Sequence, residues 1–538
     1  MAAEDLAVVL LKRLDKLKVQ RSTWEQHWQE IGEYIIPRKA DVTKTRSSGD
    51  KRMDNVYDGT GIHAAEMLSS SLHGMLTNPS MNWFDLAYLD EELNTDDEAK
   101  EYLESVTQIM HREFQRSNFA EQVHELYHDL ITFGTGVMFI TDAPEDEGVR
   151  FATRHISECY LAEDDYGRVD TVFRKFKMSV RALARQFGED VIGDKMRAKL
   201  ERNPYEEVPV VHIVMPRDER DVRKADANNK PFASIYIEPG QKIILRESGF
   251  NEFPYVAPRF LKASFEMGYG RSPAMTALPD VKMINAMSRT TIIAAQKQVD
   301  PPLMVPDDGF ILPVRTKPGG LNFYRSGSRD RIEPLNIGAN NPLGLNLEEQ
   351  RRQAIRSAFY VDQLVLGAGP TMTATEVVQR TEEKMRLLGP VLGRLQAEML
   401  QPMIERVFQL LVRQNKLPPA PQDIVDRNLD IEYVSPLAKA QRQSDVQAIM
   451  RLFELMSPLA SIDPGVFDHL DTDGLVRYML RTLSIPASVT KGVDDVASAR
   501  SSRQEQEAAQ ADMMEATQTA EALGAVAPAI KVLQGGNR

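Results

Sequence analysis

His124, Glu125 and His128 are the residues whose types and spacing could do chemistry. Histidines four apart on a helix share a face and can ligate zinc, with the glutamate as general base. A working site also needs a third ligand and an open coordination position. The residues that follow, Asp129-Leu130-Ile131-Thr132, do not continue into the extended motif with its third histidine. The trio is therefore read as part of a structural helix, and a zinc-dependent hydrolase is kept only as the alternative. Gly188 to Lys195 nearly spells a phosphate loop, but Asp194 stands where the lysine must be and two acids sit where phosphate would lie. There is no GxSxG elbow and no GxGxxG. One cysteine, Cys159, and nine dispersed histidines leave no Cys-rich metal cluster. The sequence assigns no catalytic residue, no metal and no cofactor.

The other reactive-looking groups are cations. Arg315, Lys317, Arg325, Arg329 and Arg331 crowd one stretch, with Asp330 as the only acid from Arg315 to Arg331, for a net charge of +4. Charge of that density suits either a solvated loop or a docking surface for an acidic partner or for DNA. On either side lie Lys282, Arg289 and Lys297, then Arg351, Arg352 and Arg356. Some of these could line a passage, and others could bridge to Glu348 or Glu349.

Two helices must position those cations. The first, DVKMINAMSRTTIIAAQKQVD, ends against Pro301-Pro302, and the second carries EEQRRQAIRSAFYV. Between them short apolar strands are broken by Pro, Gly and Asp turns. A helix of about 22 residues spans about 33 Å. Ahead of this unit, Leu10, Leu14, Leu17, Trp24, Trp28, Ile31 and Ile35 form the stripe of a first long helix, interrupted by Arg21. A second helix follows in GIHAAEMLSSSLHGML, and residues 98–131 read as helical until Phe133-Gly134-Thr135-Gly136. From there to about residue 260 the pattern alternates like antiparallel strands, with one helical interruption from Met178. After the second helix comes a loop of one charge, two Gly and one Pro, then a Thr373-x-x-Glu376 capping box opening a long helix. Gly389-Pro390 and Pro402 predict a kink in it. IEYVSP suggests a late strand and the remainder is helical. The fold class is α+β, predominantly helical.

The 538 residues are enough for roughly three or four domain-sized units. A net charge of -13 argues against a surface that grips nucleic acid everywhere, though not against one that merely surrounds it. No apolar run approaches a membrane span and the first residues lack a signal peptide, so the chain is expected to be soluble when made.

In order along the chain stand YDGTG, LHGMLTNP, FGTGVMFI, EDDYGRVDTVFRKF and ESGFNEFPYVAPRF. YGRSPAMTALPDVKMINAMSRTTIIAAQKQVDPPLMVPDDG and TMTATEVVQRTEEKMRLLGPVLGRLQAEMLQPMIERVF follow them. With these motifs the chain resembles, over nearly its whole length, the head-to-tail connector (portal) proteins of short-tailed, T7-like bacteriophages. The resemblance implies a homo-oligomeric ring, usually a dodecamer, at a single capsid vertex, with a central channel for double-stranded DNA. It divides the chain into a wing at 1–276, stem helix 1 at 277–299, a clip at 300–343 and stem helix 2 at 344–362. A tunnel loop at 363–373, a long kinked wing helix at 374–416, a crown at 417–500 and a C-terminal tail at 501–538 complete it.

The tunnel loop, implied to face DNA, is Gln363, Leu364, Val365, Leu366, Gly367, Ala368, Gly369, Pro370, Thr371, Met372 and Thr373. The stem cations become channel candidates and the five clip cations docking contacts. Implied partners are the terminase large subunit, scaffold and major capsid protein, tail adaptor and internal core proteins, and DNA read without sequence specificity. No membrane partner is implied. The expected location is the virion, after synthesis in the host cytoplasm. A tail-adaptor component is a further alternative.

Overall fold

The computed structural model describes residues 3–47, 49–88, 97–143, 148–224, 226–305, 342–364 and 388–420. Shorter stretches at 313–316, 321–323, 332–335, 448–456, 470–482 and 498–510, and single positions 327, 446, 458, 496 and 513, complete the description. The chain forms two compact units: Met1–Trp83 with Met110–Lys416, and Phe84–Ile109 with Leu417–Arg538.

In the first unit, α1 (Ala3–Tyr34) realises the predicted stripe. Leu10, Leu14, Trp28, Ile31 and Ile35 are all buried. Its lower half lies on a five-stranded antiparallel sheet of β3 (Cys159–Glu163), β4 (Val169–Ser179), β5 (Glu207–Pro216), β6 (Phe232–Glu238) and β7 (Ile243–Phe250), paired in that order. Strand alternation gives each face its own core. Phe173, Val211, Ile213, Ile235 and Ile237 pack with Ala7, Leu10 and Leu14 of α1. Val208, Val210 and Leu245 belong to a second cluster with Val180, Leu183 and Phe187 of α5 (Val180–Phe187) and Met196 of α6 (Asp194–Arg202). With both faces covered, β5 is buried from Val210 to Val214.

A smaller antiparallel sheet joins β1 (Met138–Ala143) to β2 (Gly148–Thr153) and β8 (Tyr255–Val256). The helical layer contains α2 (Thr60–Leu76), α4 (Phe119–Phe133) and, from Met110 on, the end of α3 (Asp97–Arg116). The expected continuous helix over 98–131 is divided at Ser117-Asn118, because Asn118 turns its amide to β2: Nδ2 donates to the Phe151 carbonyl and Oδ1 accepts from the Phe151 N–H. Gly134 ends α4 at φ 80°. A Cβ there would lie 2.2 Å from the Gly270 carbonyl oxygen, so two backbone segments cross where only glycine fits.

The first stem helix, α7 (Pro273–Val299), begins four residues before its expected start. Ser272 caps it, accepting from Met275 N–H and donating to the Thr132 carbonyl, and Pro273 occupies the first turn, where its missing N–H costs nothing. The helix expected at 344–362 is split into α8 (Pro342–Ala358) and α9 (Val361–Leu364) by Tyr360 at φ 58°. Between α7 and α8, β9 (Leu303–Met304) and β10 (Glu333–Pro334) pair antiparallel with every residue exposed. Residues 388–395 are helical, followed by a π turn at Gln396–Leu400 and α10 (Gln401–Arg413), so the irregularity expected near Pro402 lies just before it.

In the second unit, Ala99, Leu103 and Val106 of α3 are buried, and Thr107 accepts from the Leu86 N–H. Asp473 of α11 (Thr472–Thr482) receives both terminal nitrogens of Arg500, at 2.5 and 2.6 Å. The late strand expected in IEYVSP lies outside the described residues.

Candidate functional site

The HExxH residues sit on α4, with Glu125 inside a net of charge. Glu125 is paired with Arg38 at 2.7 Å and Lys39 at 2.6 Å, and Lys39 also reaches Asp129 at 2.5 Å. Burial alone would push the Glu125 carboxyl up. Hydrogen bonds and charge from Lys39 and Arg38 outweigh it and hold the group down at about 2, too low for a general base at neutral pH. His128 is buried, and burial first, then Arg38 and Lys39, lowers it to about 4. His124 lies edge-on to His73, ring centroids 5.9 Å apart. Among the described residues no group of three or more His, Cys, Asp or Glu is arranged to hold a metal. At the phosphate-loop look-alike, Gly193 is the N-cap of α6 and Asp194 opens the helix, placing negative charge where an anion would sit.

One asparagine ties α7 to the loop before α2. Asn285 is buried on α7, and its Oδ1 accepts from the backbone N–H groups of Tyr57 and Asp58 at 2.6 and 3.1 Å. Its Nδ2 donates to the Val281 carbonyl. This pins the YDGTG segment against α7. Asp58 in turn accepts from the Thr60 N–H and from Arg352 Nε of α8 at 3.0 Å. Burial would raise Asp58, but the hydrogen bonds from Thr60 and Arg352 prevail and lower it. One carboxylate therefore ties the start of α2 to α8.

The stem cations divide by partner. Lys282 pairs with Glu30 at 2.9 Å, Arg351 with Asp280 at 2.9 Å, and Arg356 with Glu349 at 3.2 Å. Arg352 adds Glu348 and Glu349 to Asp58. Arg289 lies over the Tyr57 ring, 5.7 Å from its centroid, and Lys297 is exposed. Of the clip cations, Arg315 is exposed; its N–H donates to Asn322 Oδ1 and its carbonyl accepts from Asn322 Nδ2. Lys317, Arg325, Arg329 and Arg331 lie outside the described residues. So do 365–373 of the tunnel loop, while Gln363 and Leu364 end α9.

Sequence reasoning did not single out the most deeply buried charge cluster. Arg259, 1% exposed, donates from its N–H and Nε to Glu398 Oε2 at 3.0 and 2.9 Å, and from Nη2 to Oε1 at 2.8 Å. It also holds the Gly167 carbonyl and pairs with Glu163, which accepts from Lys262 and the Gly268 N–H. The signal was present in a different form: Glu163, Arg259, Glu398 and Asp58 all fall within the motif blocks quoted above.

The comparisons with known proteins agree with this non-catalytic picture. The family described as "Bacteriophage head to tail connecting protein" matches residues 8–490. The chain is 34% identical to a "Probable portal protein" of Bordetella phage BPP-1, over 98% of this chain and 97% of that protein. It is 33% identical to a "Portal protein" of Salmonella phage epsilon15, over 94% and 92%. These relatives support the connector family at large; the narrower T7-like affiliation is not what they single out. A solved structure titled "Neck of empty GTA particle computed with C6 symmetry" covers 64% of this chain and 77% of that one at 12% identity. Its TM-score is 0.33.

Proposed function

We infer that this chain, which belongs to the bacteriophage head-to-tail connecting (portal) protein family, builds the ring through which a phage genome enters and leaves its capsid. The observation that carries the reading is the similarity to portal proteins across almost the entire chain. It is a structural protein and not an enzyme. In this reading twelve copies replace a pentamer at one capsid vertex and enclose double-stranded DNA without reading its sequence. The clip cations dock the terminase large subunit during packaging and a tail adaptor afterwards. The loop 363–373 meets the DNA. Scaffold, major capsid protein and internal core proteins contact the ring from the capsid side.

Two features of the single chain support assembly and sliding. Ile292, Ile293 and Val299 of α7, Leu347 of α8, and Leu303 and Met304 of β9 are exposed, a run of apolar surface that a neighbouring copy would cover. A two-stranded sheet with both faces open is marginal alone and gains from a neighbour. Lys282, Arg351, Arg352 and Arg356 are already paired within the chain, which leaves little cationic grip for a polyanion in transit. Sedimentation of the purified protein should give a mass many times 60.6 kDa, and negative-stain images should show one ring size. A stable monomer at micromolar concentration, with scaffold present, would contradict the reading.

A further inference from the structure

Gly188 to Asp194, the look-alike of a phosphate loop, carries three acids and no cation. Asp194 pairs with Arg197, which also reaches the Asp190 carbonyl. Glu189 and Asp190 are exposed, and their carboxylates are in no ion pair with a described residue. The exposed cations nearest in sequence, Arg185 and Lys195, stand on the flanking helices α5 and α6. Ile192, buried with Phe187 and Met196, anchors the loop and leaves its neighbour Val191 exposed. The loop lies at the β7 edge of the five-stranded sheet: Gly193 packs on Ile243, and Arg246 Nη2 donates to the Gln186 carbonyl.

The opposite edge holds the complement. A cleft of about 630 Å³ opens beside the end of β3, between α1 and the loop 265–271. Arg13, Lys16, Gln20 and Trp24 line it from α1, three or four residues apart and so on one helix face. Phe265 and Met267, 82% and 72% exposed, stand on its other side. The carboxylates there are already taken, Glu163 by Arg259 and Lys262, and Glu266 by Arg271. Arg13 and Lys16 are exposed and in no ion pair with a described residue, so the cleft is cationic. Because α1 packs on one face of the sheet and α5 and α6 on the other, cleft and acidic loop stand on opposite faces. They also stand at opposite edges, four strand spacings or about 19 Å of sheet apart. A ring of one chain closes through heterologous contacts, in which each copy meets the next through a different patch. We propose that the cleft of one copy receives the loop Gly188–Asp194 of the next. Glu189 and Asp190 meet Arg13 and Lys16, and Val191 covers Phe265 and Met267. The inference rests on the reading of the chain as a ring-former and names the surfaces that join its copies.

The test sediments four full-length proteins over a range of concentrations: the native chain, Arg13→Glu with Lys16→Glu, Glu189→Lys with Asp190→Lys, and all four changes together. Each double reversal should raise the concentration at which half of the chain is in rings at least tenfold. The fourfold variant should return to within about threefold of the native chain, because opposite charges then face each other again. Rings unaffected by either double reversal, or a fourfold variant no better than the doubles, overturn the contact and leave the ring reading standing. A native chain that stays monomeric with scaffold present ends the ring reading, and the contact falls with it. Arg13 also lies over the Phe173 ring, so a second measurement leaves the charges alone. The single native cysteine, Cys159, is buried. Gln20→Cys combined with Val191→Cys, oxidised by copper phenanthroline, should therefore give a ladder of covalent oligomers that neither change gives alone. Assembled rings that yield no ladder overturn the contact as well.

Discussion

The guanidinium of Arg21 lies 3.6 Å from the centroid of the Tyr160 ring and donates to the backbone carbonyls of Ile156, Ser157 and Cys159. The residue that interrupts the apolar stripe of α1 is therefore the polar bolt between that helix and the start of β3. A lysine has neither the planar fork nor the stacking face to replace it. Arg21→Lys should lower stability by about 3 kcal/mol, from carbonyls left without donors and a lost cation–π contact. An unchanged urea midpoint would count against this.

Acid should loosen the first unit in a definable window. His128 in the folded chain is lowered to about 4 by burial and by Arg38 and Lys39, against 6.5 unfolded. Between those values the unfolded state binds more protons, so stability falls as pH drops from about 6.5 to about 4 and levels off below. The shift corresponds to about 3 kcal/mol. Buried His212, lowered to about 3, extends the slope in the same direction. Glu125, held at about 2, adds a loss only below its unfolded value of 4.5. Thermal melts across pH should show the fall, and His128→Gln should make it shallower between 6.5 and 4. Parallel pH profiles for the two proteins would refute the assignment.

Removing the Asn285 side chain would leave the Tyr57 and Asp58 N–H groups without their acceptor. Asn285→Ala should cost about 2 kcal/mol. More specifically, the amides of Tyr57 and Asp58 should exchange with deuterium at least tenfold faster while those of the β3–β7 sheet keep their protection. Uniform acceleration everywhere would mean that the effect is global and the pin is not local.

If the cations between 315 and 331 dock the packaging motor or the tail adaptor, as proposed, reversing two of them separates docking from assembly. Arg325→Glu combined with Arg329→Glu should leave ring formation intact and impair packaging by the motor or attachment of the tail adaptor. Normal packaging by the double variant would remove the docking role from these two residues.

What the sequence made legible follows the range of the interactions. The α1 stripe, the antiparallel region and both stem helices are local patterns, readable at periods of 3.6 or 2. The division at Ser117-Asn118 was not readable, since Asn118 finds its partner 33 residues away on β2. The role of Arg21 depends on carbonyls 135 to 138 residues distant, and that of Arg259 on a carboxylate 139 residues on. No periodicity encodes such pairs. The π turn lies between these extremes. Pro402 predicted a kink, and the strict spacing of Leu395, Met399, Met403 and Val407 carried the register fault that the structure resolves.

The crossing of Gly134 and Gly270 bears on how the protein is born. The Phe260 N–H meets the Gly134 carbonyl, Gly270 donates to Thr135, Ser272 reaches back to Thr132, and Arg406 pairs with Glu252. At about 5–20 residues per second, the ribosome needs roughly seven to twenty-seven seconds to travel from Gly134 to Gly270. It needs a comparable time again to deliver Arg406. Through the first part of that interval α1 and α4 lack α7, which packs against both. The first unit closes only when most of the chain has emerged, so its synthesis holds a long interval open to chaperones and to aggregation.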